Sequence, residues 1–349
     1  MASSVVGIDI GSSSLRAVEL IDAAKARPTL VRYAELPLPE GAASRGEVLE
    51  PNTVASALKR LWSLGGFKSK NVVLGMGNQR VLARDLTVPK MSIERIRESL
   101  PFQVQEMLPV PVADALLDFY PVSESVGESG PVVNGLLVAA IKEAVLGNVR
   151  ATRLAGLTTV DVDLIPFALS RVLVSRPKVA GTVALVEIGS DTTCVLVARE
   201  GVPQFVRIIP TGGNDLTEAL HVELEIEVGE AERIKRRLGL ASEVATVEDH
   251  RAVEIIYRVT SELLNSLRNT INYYVNTRQP DVVGQVIVTG GGATLHGLPE
   301  ALAEMTRLPV VVGDPLSSFA LSRTLKADDL RMRRSGLSVA LGLAVGSGS

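Results

Sequence analysis

Cysteine is nearly absent from these 349 residues. The single one, Cys194, excludes an internal disulfide and a cysteine-based zinc site. Its place in an apolar run favours a small core residue over a nucleophile. Aromatic residues make up only 3% of the chain, so a core of any size must be built from Val, Leu, Ile and Ala. The three histidines, His221, His250 and His296, lack metal-ligand spacing and read as structural or surface residues. A net charge of −3 gives no general attraction to nucleic acid or anionic lipid, so no nucleic-acid partner is expected. No apolar run approaches the roughly 18 to 20 residues that span a bilayer, and no signal peptide opens the chain. These absences predict a cytoplasmic protein without direct membrane insertion, so any membrane association must come through a partner.

What the chain does have is a design used twice. Val5 to Leu20, VVGIDIGSSSLRAVEL, reads as strand, tight turn, strand, with Asp9 at the end of the first strand and Gly11-Ser12-Ser13-Ser14 in the turn. A carboxylate in a buried strand is costly unless something pairs with it. A row of small residues with free backbone N–H groups makes a concavity that cradles phosphate. Taken alone, the stretch is either half of a phosphate site, with Asp9 facing a phosphate-bound Mg2+, or an ordinary hairpin with an edge-facing Asp. Ala184 to Val197, ALVEIGSDTTCVLV, repeats it: Glu187 stands for Asp9, Gly189 for Gly11, and Ser190-Asp191-Thr192-Thr193 replaces Ser12 to Leu15. Two such hairpins can face each other across a cleft and hold phosphates from both sides. A third stretch, VIVTGGGATLHGL from Val286, runs an apolar strand into Gly290-Gly291-Gly292, where the backbone can approach a flat ligand closely.

Between these marks, Thr29 to Leu36 predicts a strand and Thr53 to Leu64 an amphipathic helix. Asn71 to Met76 and Val81 to Val88 predict further strands. From Pro89 the character changes. A helix opened by Ser92 as N-cap gives way to a proline-interrupted stretch, then to strands at 115–122 and 132–141 around a Gly/Ser loop, 123–130. A helix at 142–155 ends at Gly156, and a strand follows at 157–163. The second half opens with a linking helix, 165–174. Beyond its hairpin come Thr211-Gly212-Gly213-Asn214, a charged helix carrying Glu232 and Lys235, one long amphipathic helix over Val247 to Thr277, and a final helix over 328–345.

In this order the three glycine-bearing segments resemble the phosphate-1, phosphate-2 and adenosine motifs of the actin-like ATPase superfamily, and within it most resemble the PilM family of type IV pilus assembly proteins. The resemblance covers nearly the whole chain. It implies an α/β, actin-like fold of two ribonuclease-H-like domains with an inserted 1C-type α/β subdomain. The implied divisions are 1–88 with 164–181 and 324–349 (1A), 89–163 (1C), 182–215 with 280–323 (2A), and 216–279 (2B). The resemblance further implies ATP and Mg2+ as cofactors, with Asp9 orienting the metal. The implied nucleotide contacts are Gly11, Ser12, Ser13, Ser14, Glu187, Gly189, Ser190, Asp191, Thr192, Gly212, Gly213 and Gly290 to Gly292. In such proteins the matching helix reaches the adenosine, which makes Glu232 and Lys235 candidate ribose or adenine contacts; the alternative is that Lys235 to Arg237 is a solvated basic face. The family implies a groove beside the inserted subdomain for the cytoplasmic N-terminal peptide of a PilN-like membrane protein. Phe102, Val104, Met107 and Leu108 are candidates for its wall, though Phe102 and Met107 could equally be core.

The family's second motif usually begins with Asp, and this chain has Glu187. The longer side chain displaces its oxygen by an amount that costs rate heavily, so the expectation is ATP binding with slow hydrolysis or none. No residue can be assigned to orient water; Asp163 and Asp191 are placed suggestively, or are loop caps. Two rivals stand beside the scaffold reading: an FtsA-like filament protein, whose terminal linker and basic amphipathic helix the ending LGLAVGSGS does not resemble, and a small actin-fold sugar or acid kinase. Self-association is left open.

Overall fold

The computed structural model describes residues 4–128, 130–241, 244, 246–278 and 282–346, so the last three residues of the LGLAVGSGS ending lie outside the described residues. Strands β1 (Ser4–Ile10), β2 (Ser14–Ile21) and β3 (Thr29–Pro37) form an antiparallel meander. β1 and β2 are covered on both faces, which is why they read as nearly continuous apolar runs. Two short strands, β4 (Ala43–Ser44) and β5 (Glu47–Val48), pair within the loop that follows. Helix α1 (Pro51–Gly65) starts with Pro51, whose missing N–H is an orphan in any first turn, and stops at Gly66 with φ 61°. It buries Val54, Leu58 and Leu61. β6 (Asn71–Met76) then joins β1 in parallel.

β7 (Val81–Pro89) leaves this sheet. With β8 (Ala115–Gly127) and β9 (Gly130–Ile141) it makes a separate antiparallel sheet in the order β7-β9-β8, and α2 (Ile93–Gln103) lies against it. Val88, Ile96, Leu100, Val104, Phe119 and Leu137 form its own small core. The stretch 123–130 is therefore strand as far as Gly127, not a loop. Helix α3 (Lys142–Leu154) packs on α1, and β10 (Thr158–Leu164) pairs in parallel with β6. The inserted unit thus runs over 81–141 where 89–163 was expected. The ladder from Val81↔Ala140 to Pro89↔Val132 takes β7 out of the first half, and the β6–β10 pairing returns the later segment to it.

α4 (Ile165–Ser170) widens into a π-type turn at Arg171–Ser175 and leads to a second meander, β11 (Thr182–Ile188), β12 (Thr193–Arg199) and β13 (Val202–Ile209). Helices α5 (Gly213–Leu224), α6 (Val228–Leu238) and α7 (Val247–Thr277) follow. Then β14 (Val283–Thr289) returns parallel to β11, and α8 (Leu298–Thr306) connects it to β15 (Val310–Val312). The second sheet, β13-β12-β11-β14-β15, repeats the order β3-β2-β1-β6-β10 of the first. The first sheet gains one more edge strand, β16 (Ala320–Leu321), beside β3, so 320–321 belong there and not with the second half. The C-terminal helix is broken at Arg333 into α9 (Ala327–Met332) and α10 (Arg334–Val345). α10 lies on β1, β2 and α4. The approach is so close at Gly7 that a Cβ there would sit 2.1 Å from the Ala340 carbonyl oxygen.

Candidate functional site

Each meander turns through the same bond. Gly11 N–H donates to Ser14 O at 3.0 Å, and Gly189 N–H to Thr192 O at 2.9 Å. The turns confront each other: the backbone N–H of Arg45 lies 3.0 Å from both Ser12 Oγ and Asp191 Oδ2, one acceptor from each hairpin. Behind the second turn, Gly213 N–H donates to Gly189 O at 2.9 Å and Asn214 N–H to Ser190 O at 2.7 Å. Asp215 Oδ2 caps Gly212 N–H at 2.7 Å. These bonds aim the N-terminus of α5, with its positive dipole end, at the gap between the hairpins.

That gap is a cleft of about 470 Å3. Its wall includes Asp9, Gly11, Ser13, Glu187, Gly189 and Ser190, then Gly212, Gly213, Glu232, Lys235 and Gly290 to Gly292. Ser12, Asp191 and Thr192 line a smaller adjoining pocket of about 80 Å3. Ser14 lines neither; its hydroxyl is buried beneath the turn without a partner. Lys235 is spent on structure, its Nζ donating to Gly213 O at 2.9 Å and Thr217 Oγ1 at 2.8 Å and pairing with Glu232 at 2.6 Å. Asp163 faces neither pocket: it pairs with Arg171 and accepts from Leu164 N–H at 2.7 Å.

Register builds a row of charges on the cleft. Asp9 lies opposite Arg16, and Arg16 opposite Glu35. Arg16 donates to Asp9 Oδ2 at 3.3 Å and to Glu35 Oε1 at 3.0 Å, while Glu35 Oε2 also takes Tyr33 OH at 2.8 Å and Arg333 at 3.1 Å. Burial raises the Asp9 pKa, and the charge of Arg16 only partly offsets this. Burial, then the charge of Asp9, pushes Glu187 up to about 8. At Glu35 burial works upward, but Arg16, Tyr33 and Arg333 together hold it below the ordinary value. Sequence reading missed Arg16, Glu35, Arg45 and Arg333. Of these only Arg16 left a signal, a cation inside the apolar run of β2, across a four-residue turn from Asp9.

Among the described residues no three His, Cys, Asp or Glu side chains gather as a metal cage. Asp9 from the first meander and Glu187 from the second both bring hard oxygen donors to the cleft, which suits an ion that keeps waters and phosphate oxygens in the rest of its shell. Cys194 is buried and bonded only weakly, to Gly77 O at 3.7 Å, and burial raises its pKa well above the ordinary range. On the inserted unit, Phe102 is 81% exposed, while Met107 and Leu108 are half-buried. Val104 is fully buried, at the i+8 position of the Ile96-Leu100 face, and so is core and no wall residue.

Two meanders of one topology, facing across a cleft with a third glycine run packed against Ile188 of the second, define an actin-like protein of two lobes. The chain belongs to the family described as type IV pilus assembly protein PilM, whose model matches residues 7–347. It is similar to a solved PilM-PilN type IV pilus biogenesis complex, with 27% identity, 99% of this chain and 98% of that chain covered, and a TM-score of 0.85. It is 21% identical over 354 residues to the cell division protein FtsA of Bacillus subtilis, covering 89% of this chain and 78% of that protein. In fold it resembles MreB 5 of Spiroplasma citri bound to AMPPNP, with 12% identity, coverage of 98% and 95%, and a TM-score of 0.55. Among the described residues, no helix is long and apolar enough to cross a membrane.

Proposed function

We propose that this chain is a nucleotide-binding scaffold of a type IV pilus assembly machine. ATP sits in the cleft, and a PilN-like protein is held by its cytoplasmic N-terminal tail on the inserted unit. One observation carries the nucleotide reading: the shared Arg45 N–H, which holds two like turns face to face over a cleft of nucleotide size. In this reading the turn N–H groups and the N-terminus of α5 bind the β- and γ-phosphates, Arg16 adds a cation, and the glycines at 290–292 admit the adenosine. Asp9 orients Mg2+, with Glu187 beside it; such an ion supplies neutralisation of the phosphate charge. Because Asp9 is tied to Arg16 and Glu187 is a residue too long, binding outruns hydrolysis. A robust steady-state ATPase lost in Asp9→Ala refutes that part.

The likeness to a PilM-PilN complex supports the partner, and exposed Phe102 supports the place. An extended tail gains backbone hydrogen bonds and pockets for alternate side chains. The test is a calorimetric titration of a synthetic tail peptide of Asn-Leu-Leu-Pro type, with and without Mg-ATP. Micromolar binding that falls at least tenfold in Phe102→Asp is expected. Intact ATP binding with no peptide binding in either state refutes the scaffold and turns attention to polymer sedimentation.

A further inference from the structure

Away from the hairpins the cleft is walled by Leu216 of α5, Leu263 of α7, and Leu295 and Leu298 at the entry to α8. Among these apolar side chains lies Thr260, only 1% exposed. Its Oγ1 is shielded and makes no hydrogen bond. The other two threonines of α7 return their hydroxyls to their own helix: Thr270 Oγ1 donates to Ser266 O and Thr277 Oγ1 to Tyr273 O, both at 2.8 Å. Thr306 of α8 does the same with Leu302 O at 2.7 Å. That backward bond is open to any helical threonine. Thr260 forgoes it, and a buried polar group without a partner is destabilising.

We propose that Thr260 reads the base: its hydroxyl hydrogen-bonds the substituent at position 6 of a purine, and so sets the nucleotide preference of the cleft. The inference rests on the nucleotide reading above. A flat heterocycle suits the apolar walls and the glycines at 290–292, and such sites fix orientation with a small number of well-placed polar groups. Thr260 is the shielded polar atom that such a ligand satisfies. A base lacking the substituent leaves the hydroxyl orphaned, which is the arrangement that discriminates best between related ligands.

The test compares the full-length protein with Thr260→Val, which keeps the shape and removes the hydroxyl, and with Thr260→Ser, which keeps the hydroxyl. ATP and purine riboside triphosphate, which lacks the position-6 group, are titrated against each. The unsubstituted protein and Thr260→Ser are expected to prefer ATP about three- to tenfold, the range of one net hydrogen bond. Thr260→Val is expected to bind both alike, and its ligand-free form to melt no lower than the parent. Unchanged preference in Thr260→Val overturns the inference and leaves the nucleotide reading standing. Failure of the parent to bind either triphosphate overturns both.

Discussion

Removing the charge of Glu187 tests the electrostatics of the cleft most directly. In the folded, ligand-free protein, burial and the neighbouring Asp9 shift this carboxyl from 4.5 to about 8. The folded chain therefore keeps a proton that the unfolded chain releases. The sign follows: the stability tied to this proton is complete below about pH 4.5 and is lost as the pH rises to about 8. At pH 7 the two pKa values differ in their effect by about 2.5 pH units, or roughly 3 kcal/mol at about 1.36 kcal/mol per unit. Glu187→Gln has no proton to lose. Thermal unfolding in EDTA, without nucleotide, should give the two proteins similar midpoints at pH 5. At pH 8 the variant should melt several degrees higher, with the gap opening steadily between. A gap that stays constant with pH, or a variant that loses ground as pH rises, refutes the reasoning.

Gly7→Ala places a Cβ 2.1 Å from the Ala340 carbonyl oxygen; a loss of about 3 kcal/mol is expected in chemical denaturation, and an unchanged midpoint would disprove the tight seat of α10. Arg16→Met removes the cation shared by Asp9 and Glu35, so Mg-ATP affinity should fall at least tenfold while adenosine binding holds; equal losses for both would instead indicate a collapsed cleft. Val104→Asp buries an unpaired charge in the core of the inserted unit and should cost about 3 kcal/mol or more. Phe102→Asp, at an exposed site, should stay within about 0.5 kcal/mol of the parent; equivalent effects at 102 and 104 in parallel denaturation curves would contradict the assignment of faces.

The turns were legible because their information is local: a carboxylate, one residue, a glycine and small residues, written twice. Helix α7 was legible to its ends because its apolar spacing runs without a break. The fate of β7 was not, since its apolar pattern suits either sheet, and only pairing with β9, from 43 (Pro89↔Val132) to 59 (Val81↔Ala140) residues on, decides between them. Arg16 reaches Asp9 through hairpin register, a rule that could have been applied. Arg45 reaches the adjoining pocket from a loop and Arg333 the cleft from a helix break, where nothing local announces a destination. Val104 was legible in retrospect through its four-residue spacing from Leu100 and Ile96, a helix face hidden by Pro101.

The seat of α10 bears on how the chain acquires its shape during synthesis. β11 to β15 and the helices between them are contiguous, so that lobe has all its parts once the ribosome has passed Val312. The first lobe begins earlier yet must wait, because α10 fills the space on β1, β2 and α4 where Gly7 meets Ala340 and Gly342 meets Ala168. Its opening strands stay uncovered on that side while more than 300 residues emerge. Contacts so distant along the chain close slowly, and exposed strands invite wrong pairing in the meantime. The lobe translated second is therefore the one equipped to finish first, and it offers the waiting strands a folded neighbour before their own last helix arrives.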